Sequence, residues 1–276
     1  MADKNAQFAG SIPAAYDRYL GPLFFQPYAD DLAARLHLAP RSSVLELACG
    51  TGIVTRVLRD RLPPGARLVA TDLNEPMMQI AAAKFTGNDA IEWKEADATK
   101  LPFGDGSFDA VVCQFGFMFF PDKASSAREA FRVLKPGGVF LFNVWGSLEE
   151  NSLGQIPHET IGRFFEKDPP AFYQVPFGYH DRDEIRHLLE NAGFADIRVD
   201  VVDKASGITR AEDAATGLVQ GTPMSAAIAE RDASLLPAIT AGVAGALTKH
   251  FGGSTFRAPM RAIVVEARRQ QALAKG

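Results

Sequence analysis

The sequence predicts an α/β fold built on a doubly wound, mostly parallel sheet. Three observations predict it. Short β-branched runs alternate with helix-period stretches from Ser42 onward. Gly and Pro clusters punctuate the alternation. Acidic residues stand at the ends of the first three predicted strands, the edge on which open α/β sheets bind ligands.

Taken in order, Val44, Leu45, Glu46 and Leu47 read as a buried strand, followed by Gly50-Thr51-Gly52 and a helix. That helix lines up Ile53, Val54, Val57 and Leu58 until Pro63-Pro64-Gly65 stops it. Residues 67–71 form the second strand, with Asp72 at its end. A second helix accepts Pro76 in its first turn and turns Met77, Ile80, Ala81 and Phe85 inward. Strands follow at 91–94 and 108–113. Asp122 is placed to cap a helix with an Ala127, Ala130, Phe131, Leu134 stripe, which ends at Lys135-Pro136-Gly137-Gly138 before a strand at 139–144. After Trp145 the rhythm breaks. Residues 147–180 show only a short helical pattern at 161–165, then Asp181 to Glu184 opens a capped helix running to Asn191. A strand at 194–202, one helical stretch over 211–250 and a last strand at 261–267 complete the chain.

A chain of 276 residues buries roughly three quarters of its unfolded surface and needs no staple. A net charge of −4 argues against a nucleic-acid partner, which would want a basic face. No run of eighteen apolar residues spans a membrane. Residues 1–10 lack the layout of a signal peptide, and two cysteines are too few for a disulfide framework. The expected location is the cytoplasm. No His/Asp/Glu spacing suggests a metal site.

A glycine loop after a first strand serves dinucleotides or S-adenosylmethionine. The dinucleotide fingerprint wants a third Gly where this chain has Thr55. Glu46, just before the loop, would repel a pyrophosphate but suits a ligand carrying an ammonium and a sulfonium. Asp72 can accept two ribose hydroxyls, and Asp97 can accept from an adenine amino group. Each acid could instead merely cap the following helix.

The run Val44-Leu45-Glu46-Leu47-Ala48-Cys49-Gly50-Thr51-Gly52 resembles the glycine-rich motif of class I S-adenosylmethionine-dependent methyltransferases. Asp72, Ala96-Asp97-Ala98 with Leu101-Pro102-Phe103, Phe108-Asp109 and Arg132-Val133-Leu134-Lys135-Pro136-Gly137-Gly138 resemble its later motifs in order. The likeness is to the small-molecule branch that includes ubiquinone/menaquinone-type enzymes and covers roughly residues 40–146. Ala48 stands where many members have Gly. The resemblance implies a seven-stranded sheet whose last strand is antiparallel. It implies S-adenosylmethionine as cofactor, with Glu46, Ala48, Cys49, Gly50, Thr51 and Gly52 at the methionine part and Asp72 at the ribose. It places Leu73 and Met77 on the adenine face, Asp97 and Ala98 at its edge, and Gln114 and Phe115 near the methyl group. An N-terminal helix that folds over the cofactor would let Tyr16 close on it; packing on the sheet is the alternative reading of that residue.

Cys49 and Cys113 are expected to be neighbouring, reduced and structural. Should the acceptor need to lose a proton, His180 and then His158 are the candidate bases, although a structural role fits either. The segment 114–120 and Phe164, Phe165, Phe172, Tyr173 and Phe177 are strongly aromatic, which suits a small apolar or aromatic methyl acceptor or, equally, a core. The expected organisation is one domain over 1–276. Its cofactor core spans 40–146, completed by 181–203 and 256–268, and its substrate cap spans 147–180 and 205–255. An NAD-dependent dehydrogenase and a non-catalytic cofactor-binding protein are the competing readings.

Overall fold

A computed structural model describes residues 4–253 and 255–271; the two ends of the expected domain lie outside the described residues. In chain order, α1 (Ile12–Ala15), a π-helical stretch (Tyr16–Phe25) and α2 (Gln26–Arg35) precede β1 (Ser43–Leu47). Then come α3 (Ile53–Arg61), β2 (Arg67–Asp72), α4 (Glu75–Ala83), β3 (Ile91–Glu95), β4 (Phe108–Gln114), α5 (Lys123–Val133) and β5 (Leu134–Trp145). The remainder is α6 (Ser152–Gly162), α7 (Arg182–Asn191), β6 (Ala195–Ala205), β7 (Thr209–Arg210), α8 (Ala211–Gln220), α9 (Met224–Asp232), α10 (Leu236–Phe251), β8 (Thr255–Phe256) and β9 (Pro259–Arg268).

Seven strands form one sheet in the order β3-β2-β1-β4-β5-β9-β6, and β7 pairs with β8. The sheet is mostly parallel with one antiparallel strand, as expected. That strand is β9, inserted between β5 and β6; Gly137 donates to the Arg269 carbonyl and Arg269 back to Gly138, the reciprocal pattern of opposed strands.

The chain divides into two compact units. One comprises residues 29–144, 180–202 and 262–276 and contains most of the sheet. Its apolar core takes alternate residues of the strands, Val44, Leu68, Ala110, Val112, Val139 and Leu141, under Leu32 of α2 and Val54, Val57 and Leu58 of α3. The later motifs turn out to brace this unit. Arg132 pairs with Glu129 and Asp105 and donates to the carbonyls of Leu101 and Phe103. Asp109 accepts from the Ser43 amide and the Lys135 ammonium, tying β1 to β5 across β4. Asp122 and Asp181 cap α5 and α7 as expected.

The other unit comprises residues 1–28, 145–179 and 203–261 and is mainly helical. Many of the aromatic side chains lie here. Trp145 packs against Phe24, Tyr28 and Phe177, and Tyr173 stacks on Phe177. Three elements differ from expectation. Around Gly21 and Pro22 the chain widens to i→i+5 bonding, with the Gln26 amide reaching the Gly21 carbonyl; a proline inside a helix cannot donate to the ladder. The helix expected at 161–165 lies instead upstream, as α6, which ends at Gly162 and tolerates Pro157 in its interior. The stretch 211–250 is three helices, broken at Gly221-Thr222-Pro223 and again at Asp232, whose carboxylate caps the Ser234 amide.

Candidate functional site

The sheet unit gathers three carboxyl groups and a strained loop at the C-terminal ends of β1, β2 and β3. Residues 48, 50 and 52 all have positive φ, at 51°, 55° and 82°. Gly suits this region, and the Ala48 Cβ pays a steric penalty there. Gly52 also lies against Ala81, where an added Cβ would come within 2.9 Å of the Ala81 methyl. Asp72, 6% exposed, holds the loop: one carboxylate oxygen accepts the Gly50 amide at 2.8 Å and the other the Asn74 amide at 2.7 Å. Burial raises its pKa, and these backbone donors pull it part of the way back. Oδ1 also accepts the Asn74 side-chain amide at 3.3 Å, so Oδ2 is the oxygen that keeps a lone pair for a further donor.

Glu46 is 1% exposed. Desolvation pushes its carboxyl up to about 8, with the nearby Asp72 charge acting in the same direction and Thr55 opposing both. Neither Oε2 of Glu46 nor Oγ1 of Thr55 finds a hydrogen-bond partner among the described residues. A buried carboxylate oxygen left bare is costly, and a ligand that brings a cation relieves the cost. The ammonium and sulfonium of adenosylmethionine fit that demand; a pyrophosphate does not.

Around this centre, Leu73 is half exposed, an unusual state for a leucine and one suited to a flat apolar ligand face. Met77 is buried with its methyl near Gly50. Asp97 is exposed, and its Oδ1 accepts from the backbone amide and hydroxyl of Thr99; Ala98 beside it is buried. On the neighbouring strand Phe115 has φ 50°, and Gln114 before it is half-buried. Cys113 pairs in register with Leu47, two residues before Cys49. Both thiols are buried and free, and burial raises both pKa values, that of Cys113 to about 12, so neither is a thiolate nucleophile.

Similarity to known proteins agrees with this chemistry. Residues 45–142 match the family model described as a methyltransferase domain. Over 174 residues the chain is 30% identical to demethylmenaquinone methyltransferase of Staphylococcus carnosus, covering 57% of this chain and 70% of that one. The chain belongs to the class I S-adenosylmethionine-dependent methyltransferases. This methyltransferase is also 45% identical over 111 residues to the Thermus thermophilus demethylmenaquinone methyltransferase, covering 40% of this chain and 49%, about half, of that relative. Among solved structures, phosphoethanolamine N-methyltransferase 2 of Haemonchus contortus in complex with S-adenosyl-L-methionine superimposes with a TM-score of 0.60. It is 17% identical, with 94% of this chain and 57% of that one covered. The [4+2]-cyclase SpnF gives 0.59 at 20% identity, covering 90% and 82%. At such identities the likeness is one of fold, and the cyclase illustrates that one fold hosts different chemistries. The enzyme is an S-adenosylmethionine-dependent methyl transferase; neither the dehydrogenase nor the non-catalytic reading gains support.

Within the sheet unit, one candidate lies away from this edge. His180 is exposed in a surface hollow with Arg182, Arg186 and Val199 of β6. β6 is four strand positions from β1, about 19 Å at usual strand spacing. Tyr16 and His158 belong to the helical unit. Tyr16 stacks on Phe25 at 5.0 Å and meets Phe8 edge-on, and His158 keeps Nδ1 buried with no partner among the described residues. Phe117 is core, packed on Phe140 and Phe142. One residue escaped the sequence reading altogether. Asn143 of β5 is fully buried and accepts the Phe115 amide on Oδ1 at 2.9 Å. No helix among the described residues is long and apolar enough to cross a membrane.

Proposed function

We propose that this methyltransferase transfers a methyl group to a small apolar aromatic molecule of the hydroquinone class, at carbon. The relatives named for demethylmenaquinone support that class of acceptor, and the aromatic composition of the helical unit is in keeping with it. In this reading residues 147–180 and 205–255 cap the acceptor, and the enzyme works in the cytoplasm without a nucleic-acid partner.

The cofactor assignment rests above all on the bare carboxylate oxygen of Glu46. Glu46 takes the ammonium, the loop of residues 48–52 cradles the methionine part, and Asp72 accepts the ribose hydroxyls. Leu73 and Met77 sandwich the adenine, with Asp97 and Ala98 reading its edge, while Gln114 and Phe115 border the reacting centre and Tyr16 closes over it. When bound, the cofactor supplies an electrophilic methyl on a sulfonium. The chain's own contribution is orientation and exclusion of water, which can supply much of the rate enhancement of an in-line displacement. Methylation of a ring carbon also requires loss of a ring proton; His158 is the proposed acceptor of that proton.

Radiolabelled methyl transfer to 1,4-dihydroxynaphthalene, simple phenols, amines and carboxylic acids tests the proposal. Turnover of the hydroquinone with carbon-bound label is the expected result. Label only on amines or acids overturns the acceptor class.

A further inference from the structure

The register of the sheet aligns Ala70, Glu46, Val112 and Leu141 in one row across β2, β1, β4 and β5. Two residues further along come Asp72, Gln114 and Asn143, with Gln114 and Asn143 directly paired. Side chains alternate along a strand, so Asn143 shares its face with Val139 and Leu141 of the apolar core. It is the polar end of an apolar row, and it is 0% exposed.

Its two ends have different surroundings. Oδ1 accepts the amide of Phe115, which also points to the Asn143 carbonyl at 3.2 Å. This donor fixes which end of the amide is oxygen, and it holds Phe115 at φ 50°. Nδ2 has no partner among the described residues. An apolar side chain would fill the same space without leaving donors bare. The turn is constrained from the other side too: a Cβ at Gly116 would collide with that of Ala48 and come within 3.0 Å of the Cys113 sulfur.

We infer that Asn143 binds the methyl acceptor, donating from Nδ2 to one of its oxygens while Oδ1 fixes the adjoining Phe115 turn. This rests on the cofactor and acceptor reading above. There the adenine, ribose and methionine parts run from β3 through β2 to β1, so β4 and β5 lie onward in the direction of the methyl group. A hydroquinone carries the oxygen that Nδ2 lacks.

The test compares, at about pH 9 where even a buried carboxyl ionises, the wild type with Asn143→Asp, which then keeps the oxygen facing Phe115 and removes the donor, and with Asn143→Leu, which removes both. Each is titrated with S-adenosylhomocysteine and assayed with 1,4-dihydroxynaphthalene under reducing conditions. We expect Asn143→Asp to raise KM for the hydroquinone about tenfold or more, the range for an unmade buried hydrogen bond, with S-adenosylhomocysteine affinity held within about threefold. Asn143→Leu should show the same KM defect plus weakened product affinity as the turn loosens. Should Asn143→Leu fail to fold, Asn143→Asp alone decides. Unchanged acceptor kinetics in Asn143→Asp, or a loss matched by equal loss of S-adenosylhomocysteine affinity, overturns the inference. A wild type that binds S-adenosylhomocysteine yet leaves the hydroquinone untouched overturns the acceptor reading, and this inference with it. A wild type that fails to bind S-adenosylhomocysteine overturns the cofactor-site reading instead.

Discussion

At the scale of single residues, the burial of Glu46 makes a prediction about pH. Its folded-state pKa of about 8 lies above the ordinary 4.5. Between those values the native protein holds a proton that the unfolded chain has released, so stability falls as pH rises through that window. The slope from this group is about 1.4 kcal/mol per pH unit and vanishes above the folded pKa. Glu46→Gln should flatten it, which denaturant unfolding of the ligand-free protein at pH 5, 6, 7 and 8 will measure. Ala48 makes a second prediction. Its φ of 51° costs an L-residue about 1–2 kcal/mol, so Ala48→Gly should stabilise the protein by about 1 kcal/mol after the entropy of the unfolded glycine is deducted. It should also make Gly116→Ala less costly, since it removes the worse of the two clashes that change meets and leaves the one with the Cys113 sulfur; thermal unfolding of the single and double variants checks both.

Among the elements, α5 and its exit show how a sequence motif can be structural. Arg132 satisfies Glu129, Asp105 and two carbonyls of the segment after Asp97. Arg132→Ala should cost about 2 kcal/mol, or about 4–8 °C in Tm, and calorimetric melting will show it. The sheet and its glycine loop were legible because buried strands and helix stripes have distinct periods and because Gly50 and Gly52 punctuate them. The three helices within 211–250 were not separated, since their Ala-rich composition offers no sharp stripe, although Gly221 and Pro223 carried the signal for the break. Pro157 and the π-helical turn at Pro22 are held by packing, which overrides local propensity. Glu46 and Asp72 were legible as site acids from charge and position. Asn143 was not, because an asparagine in a strand announces itself only through what its two ends meet.

For the whole molecule, the sheet unit carries the family resemblance, with the matched segment at residues 45–142 inside it. The helical unit lies outside that match and is where acceptor specificity is proposed to reside. Asp72→Ala should therefore weaken S-adenosylhomocysteine binding by tenfold or more, about the loss of a pair of charge-assisted hydrogen bonds, and should also loosen the loop at Gly50. Pairing of Glu46 with the ligand's cation is read out by calorimetric titration with S-adenosylhomocysteine at pH 7 in buffers of different ionisation enthalpy. A carboxyl with a pKa of about 8 that ionises to meet an ammonium must release a proton. Binding should release close to one proton, a release that Glu46→Gln abolishes, and NAD should show no comparable binding. Binding without proton release, or tighter binding of NAD than of S-adenosylhomocysteine, would contradict it.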